Sequence, residues 1–501
     1  MNKLTKYLIL LVGITVMLFT GCQDLEVENL NSPDKERALA NPADLVSLLN
    51  GAKTTYFNTV KERGNHVFTG LSDQSTGTNA YYGWWDMAIE PKPRLNNEPT
   101  YADAVIFSNF WDGYNNVIFT ANLIIEQIVI AETIIEVDGV DLTQDILASC
   151  YFLRGLGVGH LGLIYDKAYI ITEETFLPDV DPTEFATPEE MVAEAVANFE
   201  LAKAVASANS ITFDFIGTEL ESDEFIALAN SYAAKFLINV ARNEAQLADY
   251  TWATILKYAQ SGIESDFTFT STDDIYSVWN LVASFTVNGG DGHYQYTDLK
   301  VINLMDPAYP IRYPTDATVL GIATSDDDRL VNDWVFDNDF GFLRESRGRH
   351  LFSTYAHIRW DADLYDDGTY AGIVVPMFTV AELELIEAEV LTQTGATADA
   401  KGVIDNGARS TRGGLPALDD DAKQTLLDAI YYEYCVEMFN VSQGIQFYNM
   451  RRYNRLQKGT ALHLAIPGAE LEINALEYYT FGGEAYADGE NTADGSNSWD
   501  N

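Results

Sequence analysis

Between Gly77 and Leu95 the chain crowds Tyr81, Tyr82, Trp84 and Trp85 around Gly83, with Asn79, Asp86 and Arg94 close by. That set can hold a sugar without any covalent step. A pyranose ring offers apolar C–H faces on which planar aromatic rings stack. Its hydroxyl edges suit amides, carboxylates and guanidinium groups. One such stack is worth about 1 kcal/mol at an exposed site, comparable to aromatic pairs within proteins. The four rings are adjacent rather than periodic, so neither a helix nor a strand pattern hides them all. An extended run would send Trp84 and Trp85 to opposite sides. Two of the four rings are therefore expected to plug inward and anchor the segment, leaving the others for a ligand. Trp279, Tyr294, Tyr296 and Trp334 form a second tier of the same kind. Trp111, Tyr114 and Trp252 fall on helical faces and read as core.

Covalent chemistry finds less support. The sequence has no Gly-x-Ser-x-Gly, His-Glu-x-x-His, Cys-x-x-Cys, Walker or dinucleotide motif, so no cofactor and no enzymatic activity are expected. Its six histidines are dispersed. With 75 Asp and Glu, carboxylate pairs are too abundant for any one to mark a glycoside hydrolase, which stays as an alternative beside a pure interaction scaffold. Asp361, Asp363, Asp366, Asp367 and Gly368 resemble a calcium loop in composition but miss its ligand order, so no metal site is expected. One basic island stands out: Arg344, Arg347, Arg349, His350, His357 and Arg359. Internal ion pairing is its default use, and contact with an anionic sugar or a partner protein the sharper one. Arg451, Arg452 and Arg455 suit helix C-terminal carbonyls and neighbouring acids.

The charge balance narrows the partners. A formal charge of −45 over 501 residues repels phosphate backbones and argues against nucleic acid. Hydrophobic residues make up 47% of the chain, enough for a sizeable core.

The first residues carry an address. Lys3 and Lys6 precede an apolar stretch from Tyr7 to Phe19, too short for a convincing membrane span. It ends Leu18-Phe-Thr-Gly-Cys22, which resembles the bacterial lipobox, in which the cysteine is diacylated and becomes the new N-terminus. Cleavage there removes both lysines and takes the charge from −45 to −47. Two acyl chains suffice for stable anchoring. Gln23-Asp-Leu-Glu26 resembles the acidic tether of Bacteroidetes-type surface lipoproteins. Cys150 and Cys435 lie in apolar, helix-like sequence and are expected as buried free thiols.

The elements that must position the aromatic run are mostly helical. Phe107, Phe110, Trp111, Tyr114, Ile118, Ala121, Ile125 and Ile128 recur at three and four residues and define one apolar helix face. A helix over 144–165 carries Gly155, Gly157, Gly159 and Gly162, which invite close approach of a neighbouring helix. Thr187-Pro-Glu-Glu190 reads as a capped start for a helix to about Ala208. Further helices are expected over 224–243, 250–261, 378–391, 398–409 and 420–455. Between Asp266 and Val375 the pattern turns irregular. The expected parts are a signal peptide (1–21), an acylated cysteine with its tether (22–43), a helical-repeat part (44–265), a loop-rich excursion (266–376), a second helical part (377–469) and an acidic flexible tail (470–501). Helical pairs of about 35–45 residues suggest a solenoid.

With these pieces in order, the chain resembles the SusD/RagB family of surface glycan-binding lipoproteins. The resemblance is carried by Trp111-Asp-Gly-Tyr114 with Ala121-Asn122, Cys150-Tyr-Phe-Leu-Arg154 running to Tyr165, Asp327-Asp-Arg-Leu330, the run Ala381 to Val390, and Tyr432-Glu433 through Glu437, Gly444, Phe447 and Arg451-Arg452 to Ala465-Ile-Pro467. It implies a mostly α fold, a tetratricopeptide-like right-handed helical superhelix with a long irregular loop-rich excursion. It also implies an oligosaccharide or polysaccharide ligand held on projecting loops, and a lipid anchor at Cys22 in the outer membrane, facing the cell exterior. The implied partner is a SusC-like TonB-dependent outer-membrane transporter.

Overall fold

The computed structural model describes residues 41–61, 64–78, 83–175, 180–270, 296–316, 319–338, 343–360 and 374–500. Cys22, Asn79, Tyr81, Tyr82, Trp279, Tyr294 and the Asp361–Gly368 run lie outside the described residues.

The fold is mostly α. The first part comprises α1 (Pro42–Lys61), α2 (Gly64–Leu71), the short α3 (Trp84–Ala88), α4 (Val105–Ile125), α5 (Thr143–Ile164), α6 (Pro188–Ala208), α7 (Ser222–Asn239) and α8 (Trp252–Ala259). After the irregular region come α9 (Leu299–Met305), α10 (Val380–Thr394), α11 (Thr397–Asn406), α12 (Lys423–Val436) and α13 (Ile445–Arg452). Successive helices pack on one another, α1 on α4, α4 on α5, α5 on α6 and α6 on α7. Helices α7 and α8 then meet α10, which packs on α11 and α12.

Helix α5 is the axis of the first part, and its glycines explain why. A Cβ on Gly157 would meet Ile118 of α4 at 2.8 Å, and one on Gly155 would meet the Phe199 ring of α6 at 2.7 Å. On Gly159 it would stand 2.2 Å from the Phe236 ring of α7, and on Gly162 it would meet Met191 of α6 at 2.9 Å. The helix is covered on all sides, so each glycine admits a different neighbour rather than forming one shared stripe. Phe152, from the same helix, meets Phe199, Phe213, Phe225 and Tyr232 at centroid distances of 5.3–5.6 Å. Cys150 and Cys435 are buried free thiols, and burial pushes the Cys150 thiol up to about 12.

The Thr187 start forms as a capping box. The Glu190 amide donates to the Thr187 hydroxyl at 3.3 Å, while the Thr187 amide donates to the Glu190 carboxylate at 2.8 Å. At the other end of the helices, two buried arginines collect orphan carbonyls. Arg242 donates to the carbonyls of Gly162, Leu163 and Tyr165 at the end of α5. Arg451 donates to those of Leu163, Asn239 and Leu462. Arg452 instead forks onto the buried Glu389 carboxylate, and Arg455 pairs with Asp428 at 2.7 Å. Burial holds the Arg242 guanidinium down at about 10.

The long helix expected over 420–455 is broken. Helix α12 ends at Val436 and α13 begins after Gly444, with Asn440 at φ 56° and Gly444 at φ 68°. The break is occupied by polar groups with work to do: the Ser442 hydroxyl donates to Glu382 at 2.6 Å, and Gln443 accepts from the Tyr114 hydroxyl at 2.6 Å.

The irregular excursion springs from a two-stranded base. Strand β2 (Phe267–Thr270) pairs antiparallel with β6 (Val374–Phe378), Val375 opposite Phe269, so the chain leaves and re-enters the helical body at one place. Within the excursion β3 (Tyr296–Thr297) pairs with β1 (Ser75–Thr76), and β4 (Trp334–Phe336) with β5 (Tyr355–His357). A buried charge network fastens it to α12. Arg329 grips Asp327 at 2.8–3.2 Å and reaches Glu433 at 2.6 Å and Glu437 at 3.1 Å. Arg412 forks onto Asp333 and Glu437, and Arg359 adds a 2.9 Å pair to Glu437.

The segment after Glu470, expected as a loose acidic tail, is folded against the body. Ala461 bridges Thr492, and the Trp499 indole N–H donates to the Asp73 carboxylate at 2.9 Å. Lys300 and Arg312 stand 5.6 and 4.8 Å from the centroid of the Trp499 ring, so aromatic and cationic contacts offset the acidic composition. Tyr479 donates its hydroxyl to both carboxylate oxygens of Asp166, at 2.9 and 3.0 Å. Burial pushes Asp166 up to about 6. Between about pH 4 and pH 6 the folded chain thus keeps a proton that the unfolded chain has released, so this carboxyl costs stability as pH rises through that window. Asp166→Asn, neutral throughout, is expected to gain on the order of 2–3 kcal/mol on the native chain between pH 4 and pH 7. Urea midpoints at the two pH values check this.

Candidate functional site

The aromatic run is not extended. Gly83, at φ 69°, turns the chain through the left-handed region and starts the single helical turn α3. Helix α2 packs closely on that turn, for a Cβ on Gly70 would meet the Met87 Cβ at 2.8 Å. Lys92 then locks the turn's end, donating to the carbonyls of Met87 and Gly70 at 3.1 Å each and to Asp73 at 2.6 Å.

Because adjacent residues of a helix point about 100° apart, Trp84 and Trp85 differ without being opposed. Trp84 is buried at 3% exposure and anchors the turn, as one of the rings expected to plug inward. Trp85 is half-buried. Its indole N–H donates to the Arg347 carbonyl at 2.9 Å, and the Arg347 guanidinium stands 5.6 Å from the ring centroid. Arg347 in turn donates to the Thr78 carbonyl at 2.9 Å, so this turn of the excursion and the aromatic segment clasp each other. Thr76 extends the clasp through a 3.0 Å bond from its hydroxyl to the Leu351 carbonyl.

The other candidates separate. Asp86 takes a hydrogen bond from the Tyr101 hydroxyl, which leaves its carboxylate occupied by the protein. Burial, then the bond to Asp86, raises the Tyr101 phenol. Arg94 belongs to another surface: it donates to the Thr480 carbonyl at 3.2 Å and lies 4.6 Å from the Tyr486 ring centroid. Tyr296 is core, 1% exposed in β3. Trp334 is core too, 3% exposed, its indole donating to Thr297 at 2.9 Å and its ring against His357 and Phe439. Both rings look like ligand platforms in sequence because the excursion lacks a periodicity that would mark its own small core.

The basic island divides as well. Arg349 pairs with Glu345 at 3.1 Å and Arg359 with Glu437, whereas Arg347 serves the clasp. His357 is buried, and its imidazole is held well below its usual range by that burial. The sequence puts Arg347 in a basic island whose default use is ion pairing and whose sharper use is contact with an anionic sugar or a partner protein. Its contact with Trp85 spans 262 positions, which no local pattern reports. A separate cavity of about 460 Å³ opens between α6, α7 and α8 beside Val192, Leu237, Tyr250 and Ile255, and none of the sequence candidates lines it. Among the described residues no group of three or more His, Cys, Asp or Glu side chains is placed to hold a metal ion.

No protein-family model matches the sequence, and no curated protein matches it. Solved structures do. A SusD superfamily protein from Parabacteroides distasonis superposes with a TM-score of 0.61 at 12% identity, over 86% of this chain and 97% of that one. One from Bacteroides vulgatus gives 0.60 at 13% identity, over 87% and 97%. A protein from Bacteroides vulgatus described as a SusD-like carbohydrate-binding protein gives 0.57 at 15% identity, over 84% and 86%. At such identities the shared property is the path of the chain over most of its length. The chain has the SusD-like fold.

Proposed function

We propose that the protein is a non-catalytic, lipid-anchored receptor on the outer face of an outer membrane, which captures oligosaccharides and delivers them to a SusC-like TonB-dependent transporter. The observation that carries the reading is Trp85, half-buried on a turn anchored by the buried Trp84 and held by its indole bond to the Arg347 carbonyl, on a fold shared with proteins described as carbohydrate-binding. A braced ring loses little freedom when a sugar stacks on it, so most of the stacking energy appears as affinity. The lipobox-like Leu18–Cys22 supports attachment at Cys22, and attachment near a pore raises the effective concentration of weakly held ligand there.

Titration calorimetry against a panel of oligosaccharides tests the core of this reading. Trp85→Ala is expected to weaken the best ligand about fivefold to tenfold, the worth of one aromatic stack, with the thermal midpoint as a control for folding. Absence of binding across the panel would overturn the reading, as would sustained release of reducing ends. Mild detergent extraction from the native cell should co-purify a β-barrel transporter and an acylated chain.

A further inference from the structure

We infer that the oligosaccharide taken at Trp85 is anionic, bearing a carboxylate or sulfate that Arg347 receives; this rests on the reading of Trp85 as the stacking ring. A guanidinium has five N–H donors in a planar fork. Among the described residues Arg347 gives one hydrogen bond, to the Thr78 carbonyl, and makes no ion pair. Arg242 and Arg451 also lack a carboxylate, but each spends its donors on several backbone carbonyls, whereas Arg347 reaches one. The carboxylate nearest in sequence to its stacking partner is Asp86, and that group turns to the Tyr101 hydroxyl instead. The surrounding turn keeps acids away. From Leu343 to Trp360 the chain has Arg344, Arg347, Arg349 and Arg359 but a single acid, Glu345, which is taken by Arg349.

The position fits the chemistry. Arg347 is half-buried, which weakens solvent screening of its charge, and it is fixed by its own carbonyl on the Trp85 indole and by its bond to Thr78. The Thr78 bond leaves further N–H donors of the fork for an acidic substituent on a sugar bound beside Trp85. Carboxylates and sulfates accept two parallel bonds there, whereas a hydroxyl accepts fewer and weaker ones. The protein's overall charge repels polyanions, so selection must be local, which is what a lone fixed guanidinium supplies.

The test measures affinity of the full chain for galacturonic acid oligomers and a sulfated galactan tetrasaccharide, each beside its methyl-esterified or desulfated counterpart, together with neutral glucans, mannans and xylans. The expected result is that the tightest ligand is acidic, that its neutralised form binds at least tenfold more weakly, and that Arg347→Gln removes this difference. Arg347→Lys, which keeps the charge but not the fork, should retain part of it. Which of the two acidic arms binds distinguishes carboxylate from sulfate. Preference for a neutral glycan overturns the inference and leaves the binding reading intact. Equal loss of acidic and neutral ligands in Arg347→Gln, with an unchanged thermal midpoint, overturns it as well, by making the residue a brace for Trp85 alone. Binding of no glycan overturns both.

Discussion

Arg329→Met is expected to lower the unfolding free energy by about 3–5 kcal/mol, because it leaves buried carboxylates without their counter-charge. Asp327, Glu433 and Glu437 all lie within 3.1 Å of the Arg329 guanidinium, and each is at most 2% exposed. Burial already outweighs the arginine at Glu433, whose carboxyl sits above the usual range. Without the arginine, the Asp327 carboxyl loses the contacts that hold it below the usual range against its burial, and the Glu433 carboxyl shifts further upward, so both protonate more readily in the folded chain. The folded variant then binds more protons than the unfolded chain, so its stability falls with rising pH. The deficit should therefore be largest near pH 7 and shrink toward pH 4. Denaturant midpoints across that range check both parts. A deficit independent of pH would place the cost in lost packing instead. The excursion should loosen first, because Asp327 and Arg329 lie in it while Glu433 stands on α12 and Glu437 directly follows it, so amide exchange should rise at β4 and β5 before α5.

Gly159→Ala is expected to cost about 3 kcal/mol, the upper end for overpacking a core. The added Cβ would lie 2.2 and 2.3 Å from two carbons of the Phe236 ring, and Phe236 is itself enclosed by His160, Phe199 and Tyr232. Helix propensity pulls the other way by only about 1 kcal/mol, so the clash wins. Phe236→Leu in the same chain frees room for the methyl group. The double variant should therefore be more stable than the sum of the two single losses predicts, and thermal midpoints of the three variants measure that coupling.

Much of the helical framework was legible in the sequence because helices advertise themselves locally. The apolar face through Phe107 and Tyr114, the capping residues at Thr187 and Glu190, and the arginines at 451 and 452 each depend on neighbours within a few positions or on generic helix-end chemistry. What was not legible depends on long-range pairing. Nothing near Tyr296 or Trp334 shows that these rings close a second small core around Val301, Ile302 and Phe439. The acidic composition after Glu470 conceals a docking residue, Trp499, whose partner Asp73 lies 426 positions away. The candidate site shows the same divide. The density of rings marked the segment, but only the turn at Gly83 decides that Trp84 goes inside and Trp85 stays at the surface. Arg94 was proposed because it is close along the chain, and it faces the C-terminal segment instead.

Helix α5 carries a consequence for the journey of the chain rather than for its destination. Thr143–Ile164 spans 22 residues and is long and apolar enough to cross a bilayer. A polypeptide threaded unfolded through a membrane channel would present this stretch as a sequence liable to halt there. Arg154 stands near its midpoint, where a charge costs about 2.5–3.5 kcal/mol on insertion, and the glycines trim its lipophilic bulk. After folding, the same arginine is satisfied by Asn122, Asn198 and Glu173. The residue that makes this stretch costly to leave in a bilayer is thus the one that joins three segments in the folded chain.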